Sequence, residues 1–131
     1  MPASDVDLFR LAAEATTRGD EAALLELVDE RFELEPRRAA TEGTFHGHDG
    51  VRVFLKDTRE SFERFELTYD DVRDLGDGRV LALGSIHIRG RGSGLDTEVP
   101  TAVIASFRDG RMTRFKDYGE HEAGLAAAGL A

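Results

Sequence analysis

The chain contains no cysteine and no tryptophan, and it has only two tyrosines, two methionines and three prolines. Without cysteine there is no disulfide, no thiolate metal site and no cysteine nucleophile. Lysine is nearly absent too: Lys56 and Lys116 are the only two, and arginine supplies the remaining basic charge, a weak hint of a GC-rich bacterial genome. Basic residues are outnumbered, 17 against 26 acidic, for a net charge of −9. A nucleic-acid partner requires a basic face, so the balance argues against one, and an anionic membrane surface is disfavoured likewise. No window approaches the roughly eighteen apolar residues of a membrane span. Asp5, Asp7, Arg10 and Glu14 interrupt any early apolar signal core, so a cytoplasmic location is expected. Repeats, low-complexity tracts and linkers are also missing. What remains is 131 residues, 40% hydrophobic and 33% charged. That is the size of one globular domain, 1–131, able to bury about two-thirds of its unfolded surface.

The pattern of elements is readable. Ser4 can cap a first helix, with Asp7 completing a capping box. Leu8, Leu11, Ala12 and Ala15 form its apolar stripe, and Gly19 ends it. Asp20 can cap a second helix with the stripe Ala23, Leu24, Leu27 and Val28. Phe32 and Leu34 alternate with Glu33 and Glu35 in a short strand closed by Pro36. Residues 36–47 read as a loop. Asp49 can cap a third helix, with Val51, Phe54, Leu55, Thr58 and Phe62 along one face. Phe65, Leu67 and Tyr69 begin a strand of period two, Gly76-Asp77-Gly78 turns the chain, and Val80 to Arg89 reads as a central strand. Gly90 to Gly94 joins strands and so reads as a turn, since phosphate-cradling loops open helices. Asp109-Gly110, between the runs Val99–Arg108 and Met112–Tyr118, is the strongest short-range hairpin signal. An Ala-rich helix, Glu120 to Leu130, ends the chain. The order α-α-β-α-β-β-β-β-α predicts an α+β fold: a curved antiparallel sheet wrapped around the helices, enclosing a cone-shaped cavity suited to a small apolar ligand.

Several segments at these positions carry a family resemblance. They are Arg18-Gly19-Asp20 between the first helices, Phe32 to Pro36, and Gly47-His48-Asp49-Gly50-Val51. Further along come Phe107-Arg108-Asp109-Gly110-Arg111-Met112, Asp117-Tyr118, Glu122-Ala123 and Ala127-Ala128-Gly129-Leu130. The chain resembles the SnoaL-like branch of the nuclear-transport-factor-2-like superfamily, the ketosteroid-isomerase-like cone. The resemblance implies a homodimer joined through the convex face of the sheet. It also implies places for catalytic groups. Glu35, before Pro36, falls where steroid isomerases of the superfamily carry their base, but their two oxyanion donors are replaced by Ala12 and Val103. Asp117 falls at one aspartate of the limonene-epoxide-hydrolase-like Asp-Arg-Asp set, whose other places hold Gly84 and Ile86. Asp117 also resembles the aspartate base of SnoaL-type cyclases.

From these positions the candidate catalytic residues are Asp117, Glu35 and His87. The candidate pocket residues are Phe54, Tyr69, Thr101, Val103, Phe115 and His46. Alternation puts Asp117 on one strand face with Thr113 and Phe115. A carboxylate beside apolar walls can serve as base or acid, unless an arginine such as Arg111 or Arg114 pairs with it. Glu35 shares a face with Glu33 that reads most simply as solvated. His87, between Ile86 and Ile88, reads most simply as structural. Tyr69 and Tyr118 are the only phenols able to donate to an oxyanion. His46, His48 and Asp49 are explained as loop and cap residues before a helix, so no metal is expected, and the expected chemistry takes no organic cofactor. The expected function is binding of a small apolar organic molecule, with cofactor-free isomerase, cyclase or hydrolase chemistry on it. The alternative is a non-catalytic ligand-binding or dimerisation domain.

Overall fold

A computed structural model describes residues 4–37 and 43–130. Helix α1 spans Asp5–Arg18, and the Ser4 hydroxyl accepts from the Asp7 amide as an N-cap. Gly19 closes it in a left-handed conformation. The buried stripe is Phe9, Ala12 and Ala15, so the helix is rotated from the expected Leu8–Leu11 face, and Leu11 is 48% exposed. Helix α2, Glu21–Leu27, is capped by the Asp20 carboxylate through the Ala23 amide. Val28, expected on the helical stripe, is instead the first residue of strand β1, Val28–Glu35. The two-residue strand β2, Phe45–His46, pairs with β1 and delivers the chain into helix α3, Gly47–Ser61. Because that pairing starts the helix, His46 takes the cap position. Asp49 sits in the first turn and pairs with Arg52 at 2.7 Å rather than capping.

Four long strands follow: β3 Phe62–Asp74, β4 Arg79–Gly90, β5 Asp96–Arg108 and β6 Arg111–Asp117. At the β5–β6 turn Asp109 and Gly110 have φ of 53° and 78°. Both values are the left-handed conformations of a type I′ hairpin, which the Asp-Gly pair favours. The curved, unclosed sheet has the order β2-β1-β6-β5-β4-β3. Every pair is antiparallel except β1 with β6, which is parallel, so the sheet is mixed. A short helix, α4 (His121–Ala127), ends the described chain. The expected α+β architecture is the one observed.

The two sheet faces carry separate apolar clusters. The inner face packs Val80, Ala82, Val103 and Ala105 against the helices through Phe9, Val51 and Phe54. The outer face packs Leu81, Leu83, Ala102 and Ile104 under α4 through Leu125 and Ala128. Strand β4 lies very close to β3 at Gly84, where an added Cβ would stand 1.8 Å from the Thr68 carbonyl oxygen. On the free edge of β3, the Thr17 hydroxyl of α1 accepts from the Leu67 amide at 3.1 Å. A helix side chain thereby satisfies one group that an edge strand leaves unpaired.

Candidate functional site

A cavity of about 330 Å³ lies between the inner face of the sheet and the three N-terminal helices. Six of the eight phenylalanines line it (Phe9, Phe32, Phe54, Phe62, Phe65 and Phe115), together with Leu24, Leu67, Ile86, Ile88 and Val99. Strand alternation delivers Phe65, Leu67 and Tyr69 from β3 and Ile86 and Ile88 from β4 to the same wall. The rings meet mostly edge to face: Phe9 and Tyr69 lie 5.0 Å apart at 71°, and Phe54 and Phe65 lie 6.2 Å apart at 79°. A dry cavity of about 150 Å³ is enough to hold benzene, so this space suits two fused rings.

Few polar groups reach it. Asp117, at the end of β6, accepts from the Thr101 hydroxyl at 2.7 Å through Oδ2. Its Oδ1 accepts from the amides of Gly119 at 2.8 Å and Ala102 at 3.3 Å. The carboxylate therefore joins β5, β6 and the turn into α4, and its partners among the described residues include no arginine. Thr101 is fully buried beneath it. The Tyr69 hydroxyl is buried and has no hydrogen-bond partner among the described residues. Burial first, and the charge of Asp117 second, push the Tyr69 phenol well above its ordinary pKa, against the smaller opposing pull of the Thr101 side chain, which is near enough to interact with the phenol but not aligned as a formed hydrogen bond. Tyr69 is thus protonated at neutral pH, its ring on the cavity wall and its hydroxyl buried near Asp117 and Thr101. Arg37, just after β1, lines the cavity while keeping 37% of its side chain in solvent, which puts it at the mouth.

The other sequence candidates fall elsewhere. Glu35 lies between the lining residues Leu34 and Pro36 and so faces away, paired with Arg114 at 3.3 Å and Lys116 at 3.4 Å. His87 likewise lies between Ile86 and Ile88, with Nε2 2.6 Å from the Asp96 carboxylate on the outer face. Neither belongs to the cavity. His46 is exposed on β2, and His48 Nε2 meets the Val28 carbonyl at 3.1 Å. The His46, His48 and Asp49 side chains therefore do not converge. Tyr118 packs with the outer cluster, under the Lys116 ammonium at 5.0 Å. Of the pocket candidates, Phe54, Tyr69 and Phe115 line the cavity, Val103 is core, and Thr101 lies behind Asp117 and donates to it. Thr113 leaves the face shared by Phe115 and Asp117, because a bulge at Ser106/Phe107 sets Met112 opposite Phe107. Met112 takes the lining place.

The family model of the SnoaL-like domain matches residues 9–115, most of the chain. The protein belongs to the SnoaL-like family. Solved structures share the fold. An NTF2-like protein of unknown function from Burkholderia pseudomallei is 21% identical with a TM-score of 0.78, covering 95% of this chain and 97% of that one. A protein with a ketosteroid isomerase-like fold from Catenulispora acidiphila, solved with trimethylamine, is 19% identical with a TM-score of 0.78, covering 95% and 94%. A proposed SnoaL-like polyketide cyclase from Shewanella denitrificans is 20% identical with a TM-score of 0.76, covering 91% and 92%. At such identities the likeness establishes the fold alone. No curated protein matches the chain. Within this SnoaL-like chain, Arg37 is the charged cavity residue that sequence reasoning misses, and Phe9 and Met112 are apolar ones. The only signal of Arg37 is its place immediately after Pro36, where β1 ends at the rim.

Proposed function

We propose that this SnoaL-like protein binds a compact, largely apolar ring compound bearing a carbonyl and shifts a proton on it. The supporting observation is the Tyr69 hydroxyl, buried in the cavity wall without a partner among the described residues. An unsatisfied buried hydroxyl costs on the order of 1–3 kcal/mol, and a ligand acceptor removes that cost. The chemistry follows from the groups at hand. Asp117 Oδ2 takes a proton from the carbon beside the ligand carbonyl. The C–H electron pair moves into an enolate, and the oxygen that gains charge accepts from Tyr69. Asp117 then returns the proton to a different carbon, which is an isomerisation, or the enolate carbon attacks a second carbonyl, whose π pair moves onto its oxygen and takes the proton from Asp117, which is a cyclisation. Such proton transfers need no cofactor. Cyclisation is also the activity proposed for the Shewanella relative. Thr101 and two amides hold the carboxylate in one orientation, and a lone pair remains on Oδ2 for the incoming proton.

A second reading is non-catalytic binding, favoured by the same three hydrogen bonds, which give Asp117 a purely structural task as well. Deuterium exchange separates the two. With 2-tetralone, a bicyclic ketone, the catalytic reading predicts faster exchange of the α-hydrogens in D2O than buffer alone gives. Asp117→Asn should abolish that gain and Tyr69→Phe should reduce it. Binding of 2-tetralone with no gain in exchange leaves the non-catalytic reading standing.

A further inference from the structure

Arg37 is the one basic side chain on the cavity wall among the described residues, and its surroundings are specific. Beyond Asp117, strand β6 has ended, so β5 from Asp96 to Pro100 pairs only with β4. Arg37 Nη1 donates to the Pro100 carbonyl and lies against Gly119, where an added Cβ would come within 3.1 Å of it. Nη2 stands 3.6 Å from Glu120, a side chain 71% exposed. A guanidinium has five N–H donors, and this one spends one on Pro100 and meets Glu120 loosely. Among the described residues no further partner takes the remaining donors, which lie at the rim of a largely apolar chamber, on the same sheet end as Asp117.

We propose that Arg37 is a specificity residue that selects ring compounds carrying an acidic group, a carboxylate or an acidic enol, at the end left at the mouth. The inference rests on the cavity-binding reading above and names the substrate class of that same site. The ligand's acid displaces Glu120 from Nη2 and takes a charge-assisted, two-point contact with the guanidinium. Its ring system fills the phenylalanine chamber. Selection is needed because the chain carries −9 and Asp117 lines the same cavity, so an anion without a cationic partner is repelled. Glu120 is then a competitor: it occupies Arg37 when the chamber is empty and yields to a stronger, less solvated carboxylate.

The test uses a matched pair, 2-naphthoate and the near-isosteric neutral ketone 2-acetonaphthone, titrated calorimetrically into the whole protein. In the wild type the acid should bind more tightly than the ketone, by about tenfold, as one charge-assisted contact gives. Arg37→Gln should bring the ratio of the two affinities to one or reverse it. Glu120→Gln lies outside the cavity and removes the competitor, so it should strengthen 2-naphthoate binding severalfold while the ketone is unaffected. That variant keeps the idea testable if Arg37→Gln fails to fold. Ketone binding without any preference for the acid overturns the proposal and leaves the cavity-binding reading intact. The proposal falls in the same way if Arg37→Gln lowers both affinities equally, or if Glu120→Gln changes neither. If neither compound binds, both fall.

Discussion

At the scale of single residues, Tyr69 and Asp117 are opposites. Folding takes water from the Tyr69 hydroxyl and leaves it only the weak pull of Thr101, with no formed hydrogen bond among the described residues, whereas it supplies Asp117 with three donors. Removing an unpaired buried hydroxyl releases its desolvation cost. Tyr69→Phe should therefore unfold at the same temperature as wild type or a higher one, while losing ligand affinity. The raised phenol pKa fixes a sign as well. A pKa raised by folding adds stability that is complete below the unfolded value, about 10, and is lost as pH rises through the folded value. Above about pH 10 the wild type should lose stability relative to Tyr69→Phe, measured by denaturant unfolding across that range. Asp117→Ala should cost about 2–4 kcal/mol in the same assay. Asp117→Asn should cost less, because its amide oxygen keeps both backbone donors and the Thr101 hydroxyl can turn to accept. Alternation along β3 is enough to put Tyr69 with Phe65 and Leu67, but nothing in a sequence shows that a hydroxyl lacks a partner. His87 and Glu35 show the same limit from the other side. Their neighbours line the cavity, so a period of two turns them outward, and only the register decides which set faces in.

Among the elements, helix α1 and strand β6 show where periodicity stops short. Leu8-Leu11-Ala12-Ala15 and Phe9-Ala12-Ala15 are neighbouring stripes on one helix, and alanines shared between them leave the rotation open. The large Phe9 ring, stacked 6.3 Å from Phe115 and edge-on to Tyr69, decides it. In β6 the bulge at Thr113 is invisible to a strict alternation, yet the hairpin and the strand are plain from Asp109-Gly110. Helix α3 begins at Gly47 because β2 pairs with β1 just before it, a tertiary cause that local capping rules do not contain. Gly84 belongs to this scale too: Gly84→Ala drives a Cβ into the Thr68 carbonyl and should cost about 3 kcal/mol by thermal unfolding, as β3 separates from β4. Caps and cross-strand pairs set the acid limb. The Ala23 amide holds Asp20 below the usual carboxylate range, Arg73 does so for Asp71, and His87 with Arg89 for Asp96. Depressed carboxylates add stability that is present above the unfolded pKa of about 3.9 and is lost as pH falls through the lower folded values. Thermal midpoints should therefore decline below about pH 4, and Asp20→Asn and Asp96→Asn should each flatten that decline.

For the whole molecule, the sheet divides the chain into a cavity side and an outer side. The outer side is part apolar, under α4, and part charged, with Arg89 3.1 Å from Asp96 and Arg64 2.9 Å from Glu66. We propose a homodimer through this outer face, leaving both cavities facing away from the contact. Because charged pairs border it, association should weaken with added salt. Sedimentation equilibrium should give twice 14.4 kDa at low salt, and the mass of one chain at every concentration would count against the dimer. On the inner side, we propose that the buried Tyr69 hydroxyl in the wall of the aromatic chamber donates to a ligand acceptor. That contact is tested most directly by calorimetric titration of 2-tetralone into wild type and Tyr69→Phe. The prediction is saturable one-to-one binding to the wild type, about tenfold weaker in the variant, whose own unfolding midpoint is no lower. Equal affinity for both proteins, or no binding to either, would contradict it.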